Sequence, residues 1–80
     1  MTLSPAALAL FVKYAADAGN WSGTPLVGGN VAQTTVSNGY LTAAKKAGLL
    51  TTSKWEGDVW ISFTAAGIAL AASNGIIIHA

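Results

Sequence analysis

Val36-Ser37-Asn38-Gly39-Tyr40-Leu41-Thr42-Ala43-Ala44-Lys45-Lys46-Ala47-Gly48-Leu49-Leu50 carries the clearest structural signal in this chain. Val36, Tyr40, Leu41 and Ala44 recur at the three- and four-residue spacings that line one face of a helix. Either Thr35 or Ser37 can cap its start, and it runs to Ala47. Gly48 stands where a left-handed residue ends a helix, with Lys45 and Lys46 in the last turn. Gly39 inside this helix costs about 1 kcal/mol relative to alanine, which predicts a close backbone approach there or a break before Tyr40.

Beyond the helix, Leu49 to Trp55 reads as the first strand of a hairpin, Glu56-Gly57-Asp58 as its tip and Val59 to Phe63 as its return. Val59, Ile61 and Phe63 alternate inward against Trp60 and Ser62 outward, the period-two signal of a sheet with one covered face. Trp55 and Trp60 are placed to pair across it. Thr64 caps a last helix, Ala65 to Ser73, with Ile68 and Leu70 among its packed positions, and Asn74-Gly75 stops it. Ile76-Ile77-Ile78 reads as a further strand or an oligomer contact.

Towards the N-terminus, Asn30-Val31-Ala32-Gln33 reads as the start of a short helix, asparagine capping and glutamine reaching back. Gly28-Gly29 is a flexible turn, and Thr24-Pro25-Leu26-Val27 a short strand with proline near its start. No phosphate-binding G-x-x-x-x-G-K-S/T and no strand–glycines–helix dinucleotide unit is present. Trp21 reads as a lid on the core. Ser4-Pro5 opens a first helix by cap and preset φ. Leu8, Phe11, Val12, Ala15 and Ala16 form its core stripe, with Leu3 as a staple. Lys13 and Asp17 are spaced to pair on its solvent side, and Gly19 ends it.

The 80 residues make one domain with a small core, and the absence of cysteine removes both a disulfide framework and a thiolate metal site. Four lysines and no arginine against three acidic residues leave a net charge of +1, so no global attraction to nucleic acid follows. With 52% hydrophobic residues the chain is not disordered. Leu3 to Ala16 lacks the basic leader and cleavage pattern of a signal peptide, and Lys13 interrupts it. Val59 to Ala80 carries no full charge and has the length of a membrane span. Ser62, Thr64, Ser73, Asn74 and Gly75 punctuate it, so a buried helix and strand is expected and not an anchor. A cytoplasmic location follows.

The order helix, short strand, abbreviated helix, helix, hairpin and closing helix resembles the winged helix-turn-helix. Ala47-Gly48-Leu49-Leu50 is similar to the A-G-L-I/V that leads into the wing of MarR-like regulators, and Phe63-Thr64-Ala65-Ala66-Gly67 to the L-T-x-x-G that follows it. The resemblance spans about Leu26 to Ala72. The chain also resembles small phage and bacterial proteins carrying W-x-G-T-P-L-V-G-G-N and G-x-L-T-x-x-K-K-A-G-L, which stand here at Trp21 to Asn30 and Gly39 to Leu49. The implied fold is α+β: three helices with a β-hairpin wing. The implied function is a phage or mobile-element transcriptional regulator that binds double-stranded DNA.

On that reading Gln33, Thr34, Thr35, Ser37, Asn38 and Thr42 meet base edges or phosphates, and Lys45, Lys46 and Lys54 meet phosphates. Lys45 and Lys46 equally complement a helix C-terminus. Three phosphate contacts give a salt slope of about −2.7, shallow for a regulator, so a homodimer across a palindrome is expected. The alternative is a protein-interaction module that modulates a host protein through Tyr40, Trp55 and Trp60. An enzyme is not expected. His79 has no partner in sequence, and Asp17, Glu56 and Asp58 form no paired-carboxylate pattern, so neither catalyst, metal nor cofactor is indicated.

Overall fold

Ser4 accepts the Ala7 backbone N–H at 3.2 Å and Pro5 follows it. Helix α1 accordingly runs Pro5–Asp17 in the computed structural model, which describes residues 3–79. It buries Ala7, Phe11, Tyr14, Ala15 and also Asp17. The α-helical bonding stops at Asp17, and Gly19 lies within a 3-10 turn, Ala18–Asn20, that prolongs it.

The predicted helix at Asn30–Gln33 does not form: these residues belong to an irregular loop. The side chains meant to cap it are engaged elsewhere. The Asn30 amide donates to Asp17 at 2.8 Å and the Gln33 amide to Asn38 at 3.1 Å. A single uncapped turn fixes three residues for one hydrogen bond and does not persist.

Helix α2 spans Thr35–Lys46. Its cap is Thr34, where Thr35 or Ser37 was expected. Thr34 is extended, and its Oγ1 accepts the Ser37 N–H at 3.0 Å. Ser37 Oγ in turn accepts the Thr34 N–H at 2.7 Å, a reciprocal capping box. Gly39 produces neither of its expected effects. The helix continues through it unbroken, and a Cβ there would meet no atom within 4 Å.

Strands β1 (Leu50–Trp55) and β2 (Asp58–Phe63) pair antiparallel, from Leu50 opposite Phe63 to Trp55 opposite Asp58. Asp58 therefore belongs to the ladder, and Glu56-Gly57 alone make the turn, with φ of 51° and 84°. Two successive positive φ values are those of a type I′ turn, whose first position favours asparagine. Glutamate pays a steric penalty there. Glu56→Asn is expected to stabilise the domain by about 1 kcal/mol. Urea denaturation should show the midpoint rising with the slope unchanged, and a lower midpoint would refute it.

Ile61 is fully buried and Ser62 exposed, as alternation predicts, but Trp60 is not on a free face. The register sets Trp60 opposite Ser53, and its ring instead meets Trp21 edge-on, with centroids 5.5 Å apart. The cover comes from the segment after α1. Leu26 bridges to Trp60, the Val27 N–H donates to the Val59 carbonyl at 2.9 Å, and the Ile61 N–H donates to the Pro25 carbonyl at 3.0 Å. The expected strand at Thr24–Val27 is thus reduced to one bridge along β2. Trp21 is half-buried and covers Trp60, not the core cluster it is expected to cap.

The core joins α1 (Phe11, Tyr14, Ala15), α2 (Leu41, Ala44), the hairpin (Leu50, Ile61) and Ala71, with Phe11 against Phe63 edge-on at 5.7 Å. Helix α3 spans Ala65–Ser73. Its cap, Thr64, is a joint between elements. Thr64 Oγ1 accepts the Gly67 N–H at 3.1 Å and donates to the Gly48 carbonyl at 2.6 Å, while the Thr64 N–H donates to the Leu49 carbonyl at 3.1 Å. Gly67 lies directly against that Leu49 carbonyl, with no room for a Cβ. Ala47–Leu50 and Phe63–Gly67 therefore meet in space and hold the two ends of the hairpin to the helices.

Ile76 to His79 form no strand, contrary to one of the two expectations for this segment. Ile78 packs into the core and Ile77 is exposed. Among the described residues no helix is long and apolar enough to cross a membrane.

Candidate nucleic-acid interface

Burial of Leu41 and Ala44 turns the opposite side of α2 outward. At 100° per residue that outward side carries Thr35, Gly39, Thr42 and Lys46. Val36 shares it and is 63% exposed, so it does not join the core face with Leu41 and Ala44 on which its spacing set it. Asn38 and Lys45 lie at its edge and are exposed as well. Side and edge together hold two ammonium groups and no carboxylate. The lysines stand at the C-terminal turn, where they complement the helix dipole as well as any external anion.

The candidate base readers divide into engaged and available groups. Thr34 and Ser37 spend their hydroxyls on the capping box, and Ser37 Oγ also donates to the Thr34 carbonyl at 3.0 Å. They build the start of the helix. Thr42 Oγ1 donates to the Asn38 carbonyl at 2.9 Å, which leaves its lone pairs as acceptors only. Gln33 and Asn38 hold one another at 3.1 Å in front of the first turn, so the two amides suited to adenine are presented together. Thr35 is exposed on the first turn. Lys54 is exposed on β1, opposite Val59. Beyond it the hairpin end exposes Trp55, Glu56 and Asp58, two carboxylates that repel phosphate.

The alternative protein-binding residues differ in exposure. Trp60 is half-buried beneath Trp21, and its indole N–H is buried without a partner. Tyr40 is half-buried in a groove of about 340 Å³ between α1 and α2. Trp55 remains, 64% exposed.

Sequence reasoning missed the main polar centre. Asp17 was expected to pair with Lys13 in solvent, yet it is only 7% exposed. Its Oδ1 accepts from the amides of Asn20 (2.9 Å) and Asn30 (2.8 Å), and its Oδ2 accepts from the Trp21 indole N–H (3.0 Å). Burial alone would raise its pKa. The Asn20, Asn30 and Trp21 donors outweigh that and hold the carboxyl below its ordinary value. The available signal was an acid followed at three and four residues by an asparagine and a tryptophan, with a second asparagine thirteen positions on, all side-chain N–H donors. Asp17, Asn20 and Asn30 line an open cleft of about 490 Å³ together with Lys13 and Val31. Burial likewise pushes the Tyr14 phenol up, against the Gly28 backbone that lowers it. With its acceptors filled, Asp17 is a structural clamp between α1 and the loop that follows. Among the described residues no group of three or more His, Cys, Asp or Glu side chains is placed to hold a metal.

Compared with protein families, curated proteins and solved structures, the chain matches none of them.

Proposed function

We propose that this chain is a small winged-helix domain that binds duplex DNA, as a transcriptional regulator, by seating the outward side of α2 in the major groove. The observation that carries this reading is the exposed side of α2: polar apart from Val36, bearing Lys46 with Lys45 at its edge, free of carboxylates, and followed directly by a hairpin. The bridge from Leu26 to β2 supports it, as a single residue pair in the place where a winged helix sets a third strand beside its wing. The loop ahead of α2 replaces the first helix of a helix-turn-helix pair, so α2 docks on α1 directly, and the phosphate grip comes from lysines alone. Three such contacts are few, and binding by a dimer to a two-fold site compensates for them.

Lys45→Ala combined with Lys46→Ala is expected to weaken binding about uniformly across sequences and to lower the magnitude of the salt slope by about 2. Fluorescence anisotropy with a random duplex over a range of low salt concentrations measures both, and an unchanged slope would exclude docking through α2.

Trp55 favours a second reading, contact with a host protein. A tryptophan 64% exposed beside Glu56 and Asp58 suits a cationic protein surface better than a polyanion. Absence of DNA binding by the wild type at low salt, with a protein partner lost on Trp55→Ala, would favour it.

A further inference from the structure

Most glycines of this chain have an internal reason. Gly23, Gly28, Gly48, Gly57 and Gly75 have positive φ, and Gly67 and Gly29 lie against neighbouring atoms. Gly39 has neither. Its φ is ordinary, it lies in the interior of α2, and a Cβ would meet no atom of the chain within 4 Å. Helix propensity disfavours it there, and nothing inside the fold offsets that cost. Departures from local consistency of this kind belong to surfaces where something outside the chain is accommodated.

Its position on the helix is specific. Thr35 and Thr42 lie about one turn before and after Gly39 on the outward side, Asn38 precedes it, and Lys46 stands two turns on. The missing side chain leaves a shallow notch bordered on one flank by the Thr35 and Thr42 hydroxyls and on the other by exposed Val36 and half-buried Ala43, on a helix that carries two lysines and no acid.

We infer that Gly39 is the close-approach point for a DNA sugar-phosphate strand. The strand lies against the bare helix backbone at Gly39, flanked by Thr35 and Thr42, while Lys45 and Lys46 neutralise phosphates further along. A methyl group at position 39 holds that strand away from the helix, and the hydroxyls and lysines lose their reach together. The inference rests on the DNA reading above and adds to it the residue that sets how deeply the duplex seats.

Gly39→Ala separates folding from binding, because the two change in opposite directions. Its melting temperature is expected to rise by about 4–8 °C, the shift that a helix-interior Gly→Ala gain produces in a domain of this size. Its affinity for a fluorescein-labelled random duplex at low salt is expected to fall about tenfold or more. Gly19→Ala, at a glycine equally free of neighbours but outside α2, serves as control and should bind as the wild type does. Wild-type affinity in the stabilised Gly39→Ala variant, with Lys45→Ala/Lys46→Ala still weakened, would overturn the inference and leave the DNA reading standing. No salt-dependent binding by the wild type would overturn both. An equal loss in Gly19→Ala would also overturn the inference, since the effect would not belong to the α2 notch.

Discussion

Gly67→Ala is expected to destabilise the domain by about 3 kcal/mol or more, a large part of the roughly 4–12 kcal/mol available to a chain of this length. The added Cβ would overlap the Leu49 carbonyl, a backbone atom that cannot rotate away. Relief requires α3 to move off the Gly48–Leu49 backbone ahead of β1, and that movement breaks three bonds at the same joint: Thr64 N–H to Leu49, Thr64 hydroxyl to Gly48 and Gly67 N–H to Thr64. The carbonyls of Gly48 and Leu49 would then need new partners. A thermal melt by circular dichroism should show the midpoint falling by more than 10 °C, by the usual scaling for a small domain. A variant that melts within a few degrees of the wild type would mean that α3 slides without cost and that Thr64 is no joint. The contrast with Gly39→Ala makes the comparison informative, since the same substitution in two helices is expected to act with opposite sign.

Asp17→Ala is expected to cost about 3 kcal/mol, because three side-chain N–H donors lose a charged acceptor in one step. The loop from Ala18 to Asn30 is tied to α1 through that carboxylate, so Trp21 loses its anchor and Trp60 its cover. The same clamp makes stability depend on pH. A carboxyl held below its ordinary value contributes stability that is fully present above its unfolded value, near 4, and is lost as pH falls through the folded value. The wild type should therefore weaken in acid, below about pH 4. Asp17→Asn should be weaker at neutral pH and flatter below pH 4, the two curves converging. Parallel acid titrations of wild type and Asp17→Asn, followed by tryptophan fluorescence, measure this. Equal slopes in acid would mean that the Asp17 clamp is not the source of the pH dependence.

The helices and the hairpin were legible where the signal is local. Ser4-Pro5, Thr64 and the alternation around Ile61 act within a few residues of themselves, and the structure places α1, α3 and β2 close to where they are read. The misreadings share one cause. Asn30, Asp17, Gly39 and Trp60 were each assigned a neighbour near in sequence: a cap, an i+4 lysine, a packed backbone and a cross-strand tryptophan. Three of them found other partners through the fold: Asn30 and Asp17 each other, thirteen positions apart, and Trp60 the ring of Trp21. Gly39 found none.

For the candidate interface the division is similar. The polar and cationic residues of α2 and their helical spacing are written in Val36–Leu50, because a period of 3.6 residues alone fixes which side chains share a side. Which of them are free to meet a ligand was not. The hydroxyls of Thr34 and Ser37 are consumed by the cap, Gln33 and Asn38 are joined, and Trp60 is covered by a segment that crosses from the far side of the chain. By itself, then, the sequence determined the three helices, the hairpin, their order and the burial of Leu41 and Ala44 on α2, since propensity, capping and periodicity are properties of neighbours. The tertiary structure alone decided that Asp17 is a clamp, that Gly67 is a contact and that Gly39 is open. Burial and hydrogen-bond partners depend on which distant segments the folded chain brings together.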